Sequence, residues 1–294
     1  MVLLEGLKIA IQIKQEIAES VAVMKAAGQK VPHLAAVLVG EDGASLTYVG
    51  SKVRSCQQIG FESTLIKLPQ EVTEAVLLQH IDDLNRNPEI DGFIVQLPLP
   101  KHIDEHKIIM AIDPAKDVDG FHPVNVGKMC LDLETFLPAT PYGVMELLER
   151  YGISVSGKHA VVIGRSHIVG RPMSVLLSRK GTWADATVTL AHSRTKNLKE
   201  LLLQADVVVS ALGVPHFVQG DMIKEGAVVV DVGIHRIPDA SLPKGYYITG
   251  DVDFEAVSKK AAYITPVPGG VGAMTIAMLL KNTLIARERA SKIA

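Results

Sequence analysis

Tyr48 and Lys52 stand four residues apart in TYVGSKVRSC, residues 47–56. On a helix that spacing puts a phenol and an amine on one face. A lysine withdrawn from water loses proton affinity, and its neutral amine can then serve as a base. Gln96, in IVQLPLP at the end of an apolar run, is an amide able to hold that amine by a hydrogen bond. Asp119, in KDVDG over 116–120, is a carboxylate able to accept two hydrogen bonds from a guanidine-like ring edge. Each also has a plain structural reading. Tyr48 and Lys52 fit a solvated face with a snorkelling lysine. Gln96 fits the satisfaction of nearby backbone groups. KDVDG fits an Asx turn, or a cation loop with too few oxygen ligands.

A second constellation follows a strand pattern and opens a helix pattern. In VVIGRSHIVG, residues 161–170, Gly164 and Gly170 bracket a turn around Arg165 and Ser166. Glycine permits the tight turn, and free N–H groups at a helix start attract phosphate. The motif is not GxGxxG, and a strand–helix connection needing one glycine is the alternative. NAD sites place an acid about 20 residues on, at the end of the next strand. Here that strand, ATVTLA, runs into His192-Ser193-Arg194-Thr195, with no acid. Arg165 with Ser193 and Arg194 suits a ribose 2′-phosphate instead, which selects NADP. As surface charges the two arginines need no such role. A third stretch, TPVPGGVGAMT over 265–275, has Pro268, Gly269, Gly270 and Val271 ahead of a helix. Its glycines would let backbone approach a flat ligand, or make a rigid connection. His102 and His106 have HxxxH spacing but no evident third ligand, so no metal is expected. His167 and His192 flank the cofactor turn as incidental residues, and Cys56 reads as helix packing.

The elements that must position these groups alternate between strand and helix. A helix is predicted over 7–27, a strand over 34–40, a turn at EDGAS, and a helix carrying Tyr48 and Lys52 to Gly60. Further strands are FESTLIKL and residues 91–100; the helix EAVLLQHIDDLN between them is capped by Thr73. A short helix over 104–111 leads to a loop over 113–127. ATPYGVMELLERYG reads as a helix with Thr140 as cap, Pro141 first and Gly152 beyond its end. Strands KHAVVIG, ATVTLA, DVVVSALG and GAVVVDVGI follow, then the proline–glycine loop and a last helix. Alternation of this kind predicts two α/β domains with parallel sheets, divided near 140–157. Ligands of such sheets bind at the C-terminal ends of the strands.

The totals agree with this plan. The chain has 294 residues, a two-domain length. Hydrophobic residues reach 48% with only 4% aromatics, the composition of strands buried on both faces. A net charge of −2 without a basic run argues against nucleic acid as partner. The two cysteines, Cys56 and Cys130, lie far apart and suit a reducing cytoplasm. Glu5, Lys8 and Lys14 break the first apolar stretch, against a signal peptide. No run approaches the ~18 uncharged residues of a membrane span, so no membrane association is expected.

YVGSK, VQLPLP, DVDGF, TPYGVMELL, GRSHIVGRPM and PVPGGVGAMT occur in that order and cover nearly the whole chain. This ordered set resembles the bifunctional methylenetetrahydrofolate dehydrogenase/methenyltetrahydrofolate cyclohydrolase family. The resemblance implies two α/β domains with the active-site cleft between them, the C-terminal one a Rossmann-like NADP-binding domain. The folate-binding domain would be 1–140, completed by a C-terminal helix over about 273–294, and the NADP-binding domain 141–272. A cytoplasmic homodimer acting on tetrahydrofolate derivatives in one-carbon metabolism and purine biosynthesis is implied. So are oxidation of 5,10-methylenetetrahydrofolate and hydrolysis of the methenyl product to 10-formyltetrahydrofolate. Lys52 then matches the catalytic lysine, Tyr48 the tyrosine that stacks on folate, and Gln96 the glutamine that tunes the lysine. Asp119 matches the carboxylate that grips the pterin, with Gly120 beside it. Gly164, Arg165 and Ser166 match the dinucleotide turn, and Ile234 a backbone contact to the cofactor. Gly269, Gly270 and Val271 match the loop lining the folate site. The family commonly has Cys where this chain has Ala139 and Pro where it has Ala273; the second departure predicts a looser loop. Two rivals stand beside this reading. One is another two-domain NADP-dependent dehydrogenase, for a hydroxy acid or shikimate-like substrate, which would want anion-binding arginines where only Arg54 is present. The other is a non-catalytic dinucleotide-binding module.

Overall fold

The computed structural model describes residues 1–40 and 43–293, so the turn expected at EDGAS falls partly outside the described residues, at Glu41 and Asp42. In chain order come β1 (Val2–Leu3), α1 (Gly6–Ala26), β2 (His33–Val39), α2 (Gly43–Ile59) and β3 (Glu62–Leu68). Then follow α3 (Glu74–Arg86), β4 (Gly92–Val95), α4 (Glu105–Ala111), α5 (Pro123–Cys130) and α6 (Ala139–Arg150). Next are β5 (His159–Ile163), α7 (Gly170–Ser178), β6 (Thr187–Ala191), α8 (Leu198–Gln204), β7 (Val207–Ser210) and β8 (Val228–Asp231). The chain ends with β9 (His235–Pro238), β10 (Tyr246–Thr249), α9 (Phe254–Ser258), β11 (Tyr263–Ile264) and α10 (Val271–Ile293). Packing gathers these into two groups: Ile11–Ala139 with Ile276–Ala294, and Met1–Ala10 with Thr140–Thr275.

In the group of residues 11–139 and 276–294, three parallel strands lie in the order β3-β2-β4. HLAAVLV is apolar without alternation because β2 is central, and all of it after His33 is buried. Leu77, Ile81 and Leu84 recur at helical spacing on α3 and join Val37, Phe93 and Ile108 in one core. Thr73 caps α3, its hydroxyl accepting from Val76 N–H at 3.3 Å. The strand expected over 91–100 stops at Val95, since prolines 98 and 100 have no N–H to give the ladder. Gln96 adds one last bond, N–H to the Val37 carbonyl at 2.9 Å. On the other edge of β4, Phe93 makes a parallel bridge with Asp117. Gln96 and Asp119 therefore leave the sheet at the same end. The loop expected over 113–127 contains the start of a helix, α5. His122 caps it through Nδ1, accepting from Val124 N–H at 3.1 Å, with Pro123 in its first turn.

In the other group six parallel strands run β1-β11-β8-β7-β5-β6. The four inner or long strands are those predicted; β1 and β11, two residues each, and the antiparallel pair β9–β10 are additions. The chain passes from β5 outward to β6, then returns to place β7 on the other side of β5. That reversal is a topological switch point, where open α/β sheets bind ligands. Thr140 is not the cap of α6 but lies inside it, its hydroxyl 3.0 Å from that of Thr275. Ala273 falls in the first turn of α10 rather than in a loop, a position alanine suits.

Candidate active site

Three elements of the first group bring Lys52, Gln96 and Asp119 together. Lys52 projects from α2 and is only 6% exposed. Its Nζ donates to Gln96 Oε1 at 3.1 Å and lies 6.0 Å from the Tyr48 ring centroid. Gln96 Nε2 donates to the Leu97 carbonyl at 2.8 Å. That bond settles the amide orientation, so the oxygen must face the lysine. Burial lowers the Lys52 pKa, and the nearby Asp119 carboxylate works against that. Burial lifts Asp119 to about 6, opposed by the Lys52 cation and assisted by the Asp117 carboxylate. Burial also raises the Tyr48 phenol, which stays protonated. A buried amine held by an amide, and a carboxyl poised near pH 6, can exchange protons with a bound molecule.

The loop carrying Asp119 is tied down by residues the sequence reading passed over. The buried Asp117 carboxylate accepts from Phe121 N–H at 3.2 Å, His122 N–H at 2.8 Å and Asn125 Nδ2 at 2.8 Å. Thr135 donates to the Asn125 oxygen at 2.7 Å. From α10, Asn282 Nδ2 donates to the carbonyls of Val118 and Leu137 at 2.8 and 3.0 Å. Gly120 has φ +75, and a Cβ there would meet the Leu137 carbonyl carbon at 2.6 Å. Glycine is thus required beside Asp119. Ala139, a departure from the family pattern, is buried and its N–H donates to the Asp119 carbonyl at 3.4 Å.

The dinucleotide turn lies in the other group. Gly164 has φ +109, and a Cβ on it would run into the Ala211 carbonyl beyond β7. Its N–H donates to the Ala191 carbonyl of β6 at 2.9 Å, so the turn sits at the switch point. A Cβ on Gly170 would strike the Gly164 carbonyl. Both glycines keep a shallow cradle that larger residues would fill. Arg165, Ser166, Ser193 and Arg194 are all exposed around it. The expected free N–H groups at the start of α7 are not free. Ser166 Oγ accepts from Val169 and Gly170 N–H at 3.1 and 3.3 Å, and Arg171 N–H donates to the Ser166 carbonyl at 3.1 Å. Pro172 has none to offer. The groups that could hold a phosphate here are Arg165, the Ser166 hydroxyl proton and the residues after β6. With those groups the cradle fits a dinucleotide carrying an extra phosphate. Ile234, just past β8, is 48% exposed.

The proline–glycine loop is used by the chain itself. Gly269 has φ +106 and its carbonyl accepts from Leu7 N–H at 2.8 Å. A Cβ on Gly270 would meet the Pro266 carbonyl at 2.5 Å, and one on Gly6 would strike Gly270. His102 Nε2 is 2.9 Å from the Val72 carbonyl, a structural partner. Cys56 is fully buried, and burial pushes its thiol up to about 12, which makes it inert.

The chain resembles known proteins over nearly its whole length. Residues 4–119 match the family model for the catalytic domain of tetrahydrofolate dehydrogenase/cyclohydrolase, and residues 138–291 its NAD(P)-binding domain. The bifunctional protein FolD of Flavobacterium johnsoniae is 67% identical over 291 residues, covering 99% of both chains. The crystal structure of the Campylobacter jejuni FolD methylenetetrahydrofolate dehydrogenase/cyclohydrolase is similar at 48% identity and TM-score 0.92, covering 98% of this chain and 99% of that one. That of the Trypanosoma brucei enzyme, complexed with NADP cofactor and inhibitor, is similar at 39% identity and TM-score 0.94, with 99% of each covered. The chain belongs to the tetrahydrofolate dehydrogenase/cyclohydrolase family.

Proposed function

We propose that this chain oxidises 5,10-methylenetetrahydrofolate to 5,10-methenyltetrahydrofolate with NADP+ and hydrolyses that product to 10-formyltetrahydrofolate. The observation that carries the reading is the buried Lys52 amine, held by Gln96 and faced by Asp119, in a chain of this family. Tyr48 offers its ring to the folate, and Asp119 accepts from the guanidine-like edge of the pterin. Gly120 lets backbone approach beside it.

Gly164, Gly170, Arg165, Ser166, Ser193 and Ile234 would hold NADP, which would supply the hydride acceptor when bound. Oxidation asks little of the protein, because the cation left between two nitrogens is delocalised; the chain's task is orientation. Hydrolysis asks for a base. Water adds to the methenyl carbon and its proton passes to the neutral Lys52 Nζ; the ring then opens to the formyl product. Gln96 keeps the amine aimed, and the lowered pKa keeps a share of it unprotonated. The 2′-phosphate falls to Arg165 and Ser193, which favours NADP over NAD. A homodimer in the cytoplasm, supplying formyl groups to purine biosynthesis, completes the proposal; both cysteines are free thiols, as a reducing compartment keeps them.

Lys52→Met tests the division of labour. Cyclohydrolase turnover should fall by roughly 10²–10⁴ while NADP+ affinity is unchanged. Retained formation of 10-formyltetrahydrofolate would overturn the assignment.

A further inference from the structure

A buried polar network behind the cofactor cradle is used by none of the steps above. Asp251 is 0% exposed. Its Oδ2 accepts from Leu212 N–H at 2.8 Å, Gly213 N–H at 3.2 Å and Ser210 Oγ at 3.3 Å. Its Oδ1 is 2.7 Å from His235 Nε2. Asp231 stands behind it. One oxygen of Asp231 accepts from Gly233 N–H at 2.9 Å and from Asp251 N–H at 3.0 Å, the other from Val252 N–H at 2.9 Å. The space is closed by glycine: a Cβ on Gly233 would hit Asp251, and one on Gly250 would hit Asp231. Two carboxylates thus take up the backbone donors just beyond β7 and β8, whose last residues, Ser210 and Asp231, are register partners.

Those strand ends have a place in cofactor binding. A dinucleotide lies across the switch point, with the phosphates at the first turn and its two halves on either side. The turn is Gly164, and the β6 side carries Ser193 and Arg194, suited to the phosphorylated ribose. The other half must cover the ends of β7 and β8. There the anchored backbone is followed by exposed apolar side chains, Val214 and Ile234.

We propose that Asp251 is a positioning residue for the nicotinamide half of the cofactor, fixing the backbone of Leu212–Gly213 through Oδ2 and, through Oδ1 and His235, that of the adjoining Gly233–Ile234. The inference rests on the dehydrogenase reading above and adds a determinant of cofactor affinity. Cyclohydrolase turnover from 5,10-methenyltetrahydrofolate needs no cofactor, so a cofactor-positioning role and a general folding role separate.

The experiment measures the NADP+ dissociation constant by calorimetry and cyclohydrolase turnover on the same preparations. Asp251→Ala leaves the Leu212 and Gly213 donors unpaired, and NADP+ should bind about tenfold or more weakly. Asp251→Asn keeps the shape with one acceptor oxygen, and should weaken NADP+ by about threefold. Cyclohydrolase turnover should stay within about twofold in both. Equal loss of the two properties in both variants, or unchanged NADP+ affinity in both, would overturn the proposal. A wild-type protein that fails to bind NADP+ would overturn the dehydrogenase reading itself, which is a different result.

Discussion

Replacing Asp119 by Asn should stabilise the protein while weakening its hold on folate. The carboxyl moves from its ordinary value near 3.8 to about 6 in the fold. Two units correspond to roughly 3 kcal/mol in full. Asp119 is half-buried, and solvent screening reduces this to about 1–2 kcal/mol. The sign follows from the raised value. A carboxyl that binds its proton more tightly when folded penalises the fold once ionised. The penalty is complete above about pH 6 and disappears as pH falls toward 3.8. Asn carries no such penalty, so Asp119→Asn should gain about 1–2 kcal/mol at pH 7.5, a few degrees in Tm, and nothing near pH 4.

Function should move the other way. Asn cannot match a carboxylate accepting two hydrogen bonds, and a loss of about 2 kcal/mol weakens folate roughly thirtyfold. In the wild type the same weakening should set in as pH falls through about 6, where Asp119 takes up its proton. Removing the Asp119 charge also removes what holds the Lys52 pKa up, so the acid limb of the cyclohydrolase profile should shift to lower pH. Thermal melts at pH 7.5 and 4, folate KM and the pH–rate profile check all three. A variant less stable at pH 7.5, with folate KM within twofold of wild type, would refute the reasoning.

Two more substitutions probe the cofactor side. Arg165→Ala should raise KM for NADP+ by about 10- to 100-fold, the loss of one charge-assisted contact, and leave KM for NAD+ alone; equal changes would deny Arg165 the 2′-phosphate. Gly164→Ala forces a Cβ into the Ala211 carbonyl at positive φ and should cost about 3 kcal/mol or more in a urea melt. Gly157→Ala, with φ +70 and nothing within 4 Å, is the control and should cost about 1–2 kcal/mol.

What the sequence made legible follows from where its signals are local. Continuous apolar runs such as VVVS and HAVVI stand out because parallel strands are buried on both faces. β1 and β11 are two residues each and carry no such pattern; their pairing depends on chain far away. α5 escaped because its cap is histidine, outside the usual Ser, Thr, Asp and Asn. In the site, Tyr48 and Lys52 were readable through helical spacing, and Gln96 through the prolines that end its strand. Asp117 and Asp119 look alike in KDVDG, and only the folded loop shows one carboxylate bound to backbone and the other near enough to Lys52 for their charges to act on each other. Asn282 sits in an apolar helix and its bonds reach back 164 and 145 residues. Asp231 and Asp251 left no mark, since buried carboxylates held by backbone N–H groups have no spacing rule. The glycines of the proline–glycine loop were seen, but their packing on Gly6 and Leu7 was not.

The most direct test mixes the purified protein with 5,10-methylenetetrahydrofolate and either NADP+ or NAD+. Acid quenching destroys reduced cofactor and leaves the methenyl product to be read by absorbance; unquenched samples are assayed for 10-formyltetrahydrofolate. NADP+-dependent formation of both products by the one chain is the predicted result. Folded protein that forms neither product with either cofactor would contradict the account.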